Sequence, residues 1–266
     1  MNIDVLFRRI DEDEEEIAIA QKHFRIVEQR SKLDVNTLVI GRYSVLPYYK
    51  ELELDLPHGS KLINSYAQHR YIADLNNWYE DLQAITPYTY FSLEEFKKTN
   101  HTGSYVLKGL TNSKKFLWKT HMYAEDSEAV DAVYCRLMDD SMIANQGICI
   151  REFIPFKNYG KDIHGIPITK EFRVFVYMGK IVAKGFYWSN HLDDISVKPD
   201  INEIPNAFLQ YAIDIIGKKA NFYTLDVAED VKGNWWLVEL NDGQMAGLSS
   251  IDTDEFYSNL KKIANG

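Results

Sequence analysis

"LDVAEDVKGNWWLVELND" (225–242) contains two β-rich runs separated by a polar, glycine-containing stretch. In the second run, apolar Trp235, Trp236, Leu237 and Val238 lead into Glu239, and Leu240 separates that acid from Asn241. Side chains alternate along a strand, so Glu239 and Asn241 share one face of a strand that is otherwise core material. "DVKGN" (230–234) reads as the turn of a hairpin. With Lys232-Gly233 as a two-residue loop, Val231 faces Asn234, and the pairing that follows sets Asp226 opposite Glu239. A four-residue loop changes the partner but keeps the face, whereas an odd loop length or a bulge breaks the relation.

Like charges facing each other across strands destabilise the pair. Two carboxylates and an amide oxygen at one point therefore need compensating charge. A hard divalent cation supplies it: Mg²⁺ takes oxygen ligands, keeps several waters, and is held by one or two carboxylates plus substrate phosphates. The competing reading is a solvated face whose acids repel through water.

"EFRVFVYMGKIVAKGFYW" (171–188) reads as a second hairpin with its turn at Met178-Gly179. In that register Tyr177 faces Lys180 and Arg173 faces Lys184, two cations that together want an anion. Lys184 can equally be a surface lysine. Arg173 lies between apolar Phe172 and Val174 and shares a face with Glu171. Lys108 ends the apolar strand of "GSYVLKG" (103–109), from which an ammonium can reach a phosphate as a point charge. The following "LTNSKKFLWKTHM" (110–122) is polar and basic, and Lys114, Lys115 and Lys119 there are phosphate contacts or merely loop solubility. It lacks the GxxxxGK[ST] pattern, and no GxGxxG is present. His121 has no HxH or HExxH partner, and no Ser-His-Asp or Cys-His constellation stands out.

The chain has 266 residues with a net charge of −9, which weighs against general attraction to nucleic acid or to an anionic membrane. Cys135 and Cys149 form no CxxC pair and read as buried thiols of a reducing compartment. The N-terminal "MNIDVLFRRIDEDEEE" lacks the order of a signal peptide, and no apolar run is long enough to span a bilayer. The expectation is a soluble, cytoplasmic protein.

Residues 11–30 place acids first and bases last, as a helix dipole favours, with an apolar stripe of Ile17, Ala20, Phe24 and Val27. "TLVIG" (37–41) reads as a buried strand, 66–83 as a helix, and "TPYT" (86–89) as a connection. "SLEEF" (92–96) has capping-box spacing. Further helices are expected over 125–140, Pro205 to Gly217, and 253–264, with strands at 103–109, 147–156 and in the two hairpins. Separate helices and antiparallel hairpins in the last two-thirds argue for an α+β class.

The order of strand lysine, polar loop, helix, "REFIPF", "EFRVFVYMGKIVAKGFYW" and "LDVAED…WWLVELNDG" resembles the ATP-grasp superfamily, and within it the clade named for two arginines and a lysine. The resemblance covers residues 90–250, and its most specific part is Asp, hairpin, Glu-x-Asn. It implies an α+β ATP-grasp domain (91–266) whose subdomains, 91–150 and 151–266, clasp ATP. A small α/β pre-ATP-grasp domain (1–90) would precede it.

Position by position, the resemblance implies that Lys108 contacts the α- and β-phosphates and that 110–119, with Lys115, covers them. Glu152, Phe153 and Ile154 would line the adenine pocket. Arg151 would be one of the clade's arginines, and Arg173 would reach the γ-phosphate or an acyl phosphate. Glu171 is a candidate for the ribose, and Lys184 for the phosphates. Asp226, Glu239 and Asn241 would hold Mg²⁺, with Glu239 bridging two ions. The implied chemistry is ATP-dependent activation of a carboxylate and its joining to an amine of an amino acid, peptide or protein. The rivals are a regulatory or inactive ATP-binding homologue, a structural or interaction protein, and a ligase acting on nucleic acid.

Overall fold

The computed structural model describes residues 2–8, 14–99, 102–162, 165–191, 195, 197 and 199–266. At its centre is a four-stranded antiparallel sheet in the order Lys180–Phe186, Glu171–Tyr177, Phe222–Glu229, Trp235–Asp242. These strands are rich in β-branched and aromatic residues, which suit a half-buried pleated surface. On one face Phe172, Val174, Val176, Leu225, Val227, Leu237 and Leu240 pack into a single core with Leu209, Ala212, Ile213 and Ile216 of helix Asn206–Ile216. Trp78 and Leu82 from the helices near residue 75 join the same core. Each buried Val, Leu, Ile or Phe side chain here contributes on the order of 1.5–3 kcal/mol.

The opposite face is divided. Phe175, Tyr177 and Phe222 pack on Phe256 and Tyr257 of helix Thr253–Asn265 and on Val5, Leu38 and Ile40. The last three belong to a parallel sheet ordered Arg25–Val27, Asn2–Leu6, Thr37–Ile40, Lys61–Leu62. The remainder of this face carries Glu171, Arg173, Asp226 and Glu239. A smaller antiparallel sheet, ordered Thr89–Tyr90, Ile148–Glu152, Tyr105–Gly109, Tyr123–Ala124, lies opposite that charged half. Its far side buries Tyr105, Leu107, Ile148 and Ile150 against Val130, Val133 and Leu137 of helix Ala129–Met138.

The parallel sheet is tied to the end of the acidic strand. Fully buried Arg42 donates from Nη1 to the carbonyls of Gly243 (2.8 Å) and Ala246 (2.9 Å), and from Nε to Glu16 (3.1 Å). Asp242 accepts from Asn64 Nδ2 at 3.1 Å and lies 3.0 Å from His69 Nδ1. The segment that follows Asn241 is therefore held by the N-terminal part of the chain.

Several expectations need correction. The region 11–30 is not one helix: Glu14–Ala20 is helical and Arg25–Val27 is a strand, while 11–13 lie outside the described residues. β-branched Ile26 and Val27 pair with Val5 and Leu6, and Arg25 bonds Asp4 at 2.8 Å, so strand pairing wins over helix continuation. Ile17, Ala20, Phe24 and Val27 are nevertheless all buried. The helix expected over 66–83 is two, Tyr66–Ala73 and Leu75–Leu82, broken by extended backbone at Asp74. Strand Asn2–Leu6 is not among the expected elements, and the expected connection at 86–89 ends in strand Thr89–Tyr90. Cys149 is buried as expected, but Cys135 is exposed.

The two hairpins depart from their expected registers in opposite ways. In the acidic hairpin Glu229 pairs with Trp235 and the Asp230 N–H donates to the Asn234 carbonyl at 2.8 Å, around a three-residue loop whose last residue, Gly233, has φ 89°, the left-handed residue such loops require. The Asp230 carboxylate stabilises the loop by accepting from the N–H groups of Lys232 and Asn234, both at 2.8 Å. That odd loop would move Glu239 off Asp226. A bulge then restores the pairing: Val227 faces Leu237, but Asp226 faces Glu239, with Val238 as the extra residue. In the basic hairpin the Met178-Gly179 turn is as expected, with φ 49° and 73°. Here a bulge between Phe175 and Val176 shifts the register, so Arg173 faces Gly185 and Lys184 faces Val174. Lys184 thus leaves the face of Arg173, and its ammonium lies 3.4 Å from the Ile201 carbonyl.

Candidate active site

The charged half of the large sheet is organised in rows. Arg173 pairs directly with Asp226, which pairs with Glu239; one row on, Thr224 faces Asn241. Arg173 grips Asp226 with two parallel bonds, Nε to Oδ1 at 2.8 Å and Nη2 to Oδ2 at 2.7 Å, and Nη1 donates to the Gly247 carbonyl at 2.9 Å. Such a fork fixes the arginine more tightly than a lysine could be fixed. Asn241 Nδ2 donates to Asp226 Oδ2 at 3.2 Å.

Lys108 comes from the smaller sheet. Its strand neighbours Leu107 and Tyr105 point into the helix-covered core, so alternation turns Lys108 toward the large sheet, where its ammonium contacts Glu239. Arg151, across from Val106 on the same face, is 5% exposed and spends its guanidinium on protein acceptors. It donates to the Val238 carbonyl at 2.7 Å, Thr86 Oγ1 at 2.7 Å and Thr89 Oγ1 at 3.3 Å. Val238 is the bulge residue, so Arg151 satisfies a carbonyl that the bulge withdraws from the ladder.

Lys115 enters from the short helical turn Lys115–Leu117, with its Nζ 2.5 Å from the Tyr187 hydroxyl and 4.6 Å from the ring centroid. Arg173 Cζ lies 4.8 Å from that same ring. Glu171, 6% exposed, accepts from Thr169 Oγ1 at 2.9 Å.

Burial and pairing act on these groups in opposite senses. Burial opposes ionisation of Glu239, yet the ammoniums of Lys108 and Lys115 outweigh it and hold the carboxyl down at about 2. Burial dominates at Glu171 and, with Asp226 nearby, lifts its carboxyl to about 7 against the pull of Lys115. Burial also works against the charges of Arg173 and Lys115; Asp226 for the first and Tyr187 for the second overcome it, and both pKa values rise. Arg151 is lowered by burial. Four cationic side chains (Lys108, Lys115, Arg151, Arg173) thus meet three carboxyls, one of them drawn toward neutrality. Such a cleft attracts an anion.

The structure brings together Lys108, Lys115, Arg151, Glu171, Arg173, Asp226, Glu239 and Asn241, and leaves Lys184 outside. Glu152, Phe153 and Ile154 follow Arg151 out of the end of its strand in the smaller sheet. The N–H groups of Glu152 and Phe153 donate to the carbonyls of Tyr88 and Ser104, both at 2.9 Å, which fixes the segment from two sides. Sequence reasoning missed Tyr187, Thr86, Thr89 and Thr169. Tyr187 escaped because the expected register set it on the opposite face; the same bulge that removes Lys184 turns Tyr187 inward, its N–H bonded to the Glu171 carbonyl at 2.9 Å.

Asp226, Glu239 and Asn241 offer only oxygen donors, a set that suits a hard divalent cation. Among the described residues no group of three or more His, Cys, Asp or Glu side chains could hold a metal. An ion here would need the Asn241 oxygen and ligand phosphates to complete its shell. Among the described residues no helix is long and apolar enough to cross a membrane.

Residues 92–260, well over half of the chain, match the model of an ATP-grasp domain family, the third family of the clade named for two arginines and a lysine. No curated protein matches the chain. Its fold is similar to that of a RimK domain ATP-grasp protein from Sphaerobacter thermophilus DSM 20745, at 18% identity and TM-score 0.61 with 100% of each chain covered. It is similar to D-alanine–D-alanine ligase from Bacillus anthracis, at 13% identity and TM-score 0.60, covering 100% of this chain and 96% of the other. The ATP-grasp ligase PsnB, solved with a minimal precursor, Mg and ADP, aligns at 11% identity and TM-score 0.60 over 99% of this chain and 98% of its own. At such identities the structural likeness concerns the fold. With the family match, and with a strand lysine meeting an Asp/Glu-x-Asn hairpin across a cleft between two sheets, the chain belongs to the ATP-grasp superfamily, in the third family of the two-arginine, one-lysine clade.

Proposed function

We propose that this protein is an ATP- and Mg²⁺-dependent ligase that joins a carboxylate to an amine carried by an amino acid, a peptide or a protein. What supports the reading above all is the charge-paired cleft itself. Lys108 on one sheet meets Glu239 on the other, and Arg173 meets Asp226 beside them. These two ion pairs keep two phosphate-binding cations and their two counter-charges pre-assembled. A polyanion bringing a cation can exchange partners with them: the ammonium and guanidinium groups pass to phosphate, and the carboxylates pass to the ion.

In this reading Lys108 and Lys115 bind the phosphates, and Arg173 stabilises charge on the phosphoryl being transferred. Asp226, Glu239 and Asn241 would hold Mg²⁺, which when bound neutralises phosphate charge. Glu152, Phe153 and Ile154 would border adenine, and Glu171 would meet the ribose. A carboxylate oxygen attacks the γ-phosphorus and ADP departs; the amine nitrogen then attacks the acyl carbon, phosphate departs, and the nitrogen gives up one proton to phosphate or solvent. Arg151 would take a part unlike that of Lys108 and Lys115, because its donors go to Val238, Thr86 and Thr89. It would position Glu239 by holding the bulge beside it. Our division of labour is an N-terminal unit, 1–90, that backs the acidic strand and a nucleotide-binding unit, 91–266. The PsnB structure with a precursor, Mg and ADP is a precedent for such a complex in that protein.

The test is ADP release from Mg-ATP by the purified chain with a mixture of amino acids and peptides. Substrate-dependent release is expected. A thermal shift with Mg-ATP but no release with any carboxylate and amine would assign the chain to nucleotide binding without ligation.

A further inference from the structure

We propose that Tyr187 is a positioning residue that latches Lys115, and with it residues 115–122, over Arg173 and the acidic pair. Its consequence for catalysis rests on the nucleotide site proposed above; the latch itself does not. Three observations meet at this ring. The bulge in the basic hairpin sets Tyr187 beside Glu171 and on the face of Arg173. The Lys115 ammonium donates to the hydroxyl at 2.5 Å and lies 4.6 Å from the ring centroid. Arg173 Cζ lies 4.8 Å from the same centroid, so one aromatic ring engages a cation from each side of the cleft.

The segment that Lys115 belongs to needs such a fastening. Residues Lys115–Leu117 and Trp118–Met122 are a tight turn and a wide turn rather than a regular α-helix. Phe116 is 77% and Leu117 46% exposed, so burial does little to hold the end that carries Lys115; the far end is anchored by buried Met122. Thr111 and Asn112 bond to Gln146, Lys114 pairs with Asp140, and the Thr120 carbonyl accepts from Arg136 at 2.5 Å. All of these partners lie on the segment's own side of the cleft. Lys115 to Tyr187 reaches the other side. A cation–π contact and a charge-assisted hydrogen bond on one residue give the closed arrangement a preference without making it permanent. The ring also keeps Lys115 and Arg173 at a fixed separation, so both can meet one anion.

Limited trypsin digestion of the full chain without nucleotide tests this, read as the rate of cleavage after Lys114, Lys115 or Lys119. Cleavage of an opening segment follows the population of its open form. Tyr187→Leu should speed that cleavage roughly tenfold, and Tyr187→Phe, which keeps the ring, only about threefold. Cleavage elsewhere and the melting temperature should stay near wild type. Rates within 114–119 matching wild type in both variants would overturn the latch. Should Tyr187→Leu not fold, the Phe variant is combined with Lys115→Met. The hydroxyl then has no partner, and Tyr187→Phe should add nothing to cleavage after Lys114 or Lys119; an additive increase would overturn the proposal. Absence of a thermal shift with Mg-ATP in the wild-type chain would count against the nucleotide site and leave these ligand-free rates to decide on the latch.

Discussion

The two hairpins of the large sheet invite the same turn arithmetic and end differently. In the basic hairpin the turn lies where the sequence puts it, yet a bulge carries Lys184 off the face of Arg173 and brings Tyr187 onto it. In the acidic hairpin the loop is one residue longer than its sequence suggests, and a bulge at Val238 cancels the difference, so Asp226 does face Glu239. Bulges decide which side chains meet, and what holds a bulge can lie outside its hairpin. For Val238 the holder is Arg151, from the other sheet.

The sharpest way to break this comparison is to remove the acid that the restored register delivers. Glu239→Ala should lower Mg-ATP turnover by about 10²–10³-fold, as loss of an electrostatic stabiliser does, while Lys184→Ala should stay within about twofold. Comparable losses in both, measured by ADP release, would mean that the register does not separate the two residues functionally.

Glu171, on the strand of the basic hairpin that pairs with the acidic one, gives the next effect. Its carboxyl is raised from an ordinary 4.5 to about 7, so the folded state holds a proton that the unfolded state releases. Its contribution to stability is complete below pH 4.5 and is lost as pH rises through 7, by up to about 3 kcal/mol. Glu171→Gln has no carboxyl to ionise and should lose that decline between pH 4.5 and 7 in melting-temperature profiles. A decline equal to wild type would remove Glu171 as its source.

Arg151→Ala should cost about 1–3 kcal/mol by stranding the Val238 carbonyl, while the Thr86 and Thr89 hydroxyls keep their own bonds to the Leu237 and Pro87 carbonyls. If the arginine positions Glu239, turnover should fall as well, and Arg151→Lys should restore stability better than turnover. Loss of stability with unchanged turnover per folded molecule would limit Arg151 to a structural part. The smallest effect is expected at Met178, a non-glycine residue at φ 49°. Met178→Asn should gain about 0.5–1 kcal/mol in urea unfolding, because Asn tolerates the left-handed region better, and leave turnover unchanged.

Much of the fold was legible because its signals are local. Alternation in 171–177 and 235–242, the glycine-marked turns, and the apolar periodicity of 206–216 each need only a few neighbouring residues. The first thirty residues were less legible. Ile17, Ala20, Phe24 and Val27 fit a helical stripe, and they are all buried, but Val27 reaches its burial on a strand next to Val5 and Leu6. No local pattern announces a partner strand that is itself only five residues long. The site divides in the same way. Lys108, Asp226, Glu239 and Asn241 stood out as polar groups within or at the ends of apolar strands. Tyr187, Thr86 and Thr89 did not, since an aromatic or a threonine in a β-rich stretch is ordinary.

Composition, alternation and the spacing of polar residues along each strand were enough to call for an α+β chain with paired acids on one hairpin and a lysine ending another strand. Three-dimensional packing alone settled which residues cross the cleft, where Lys184 points, and what Arg151 holds. The physical reason is that alternation is a property of neighbouring residues, whereas a bulge shifts every later side chain to the other face and is stabilised by contacts from elsewhere in the chain.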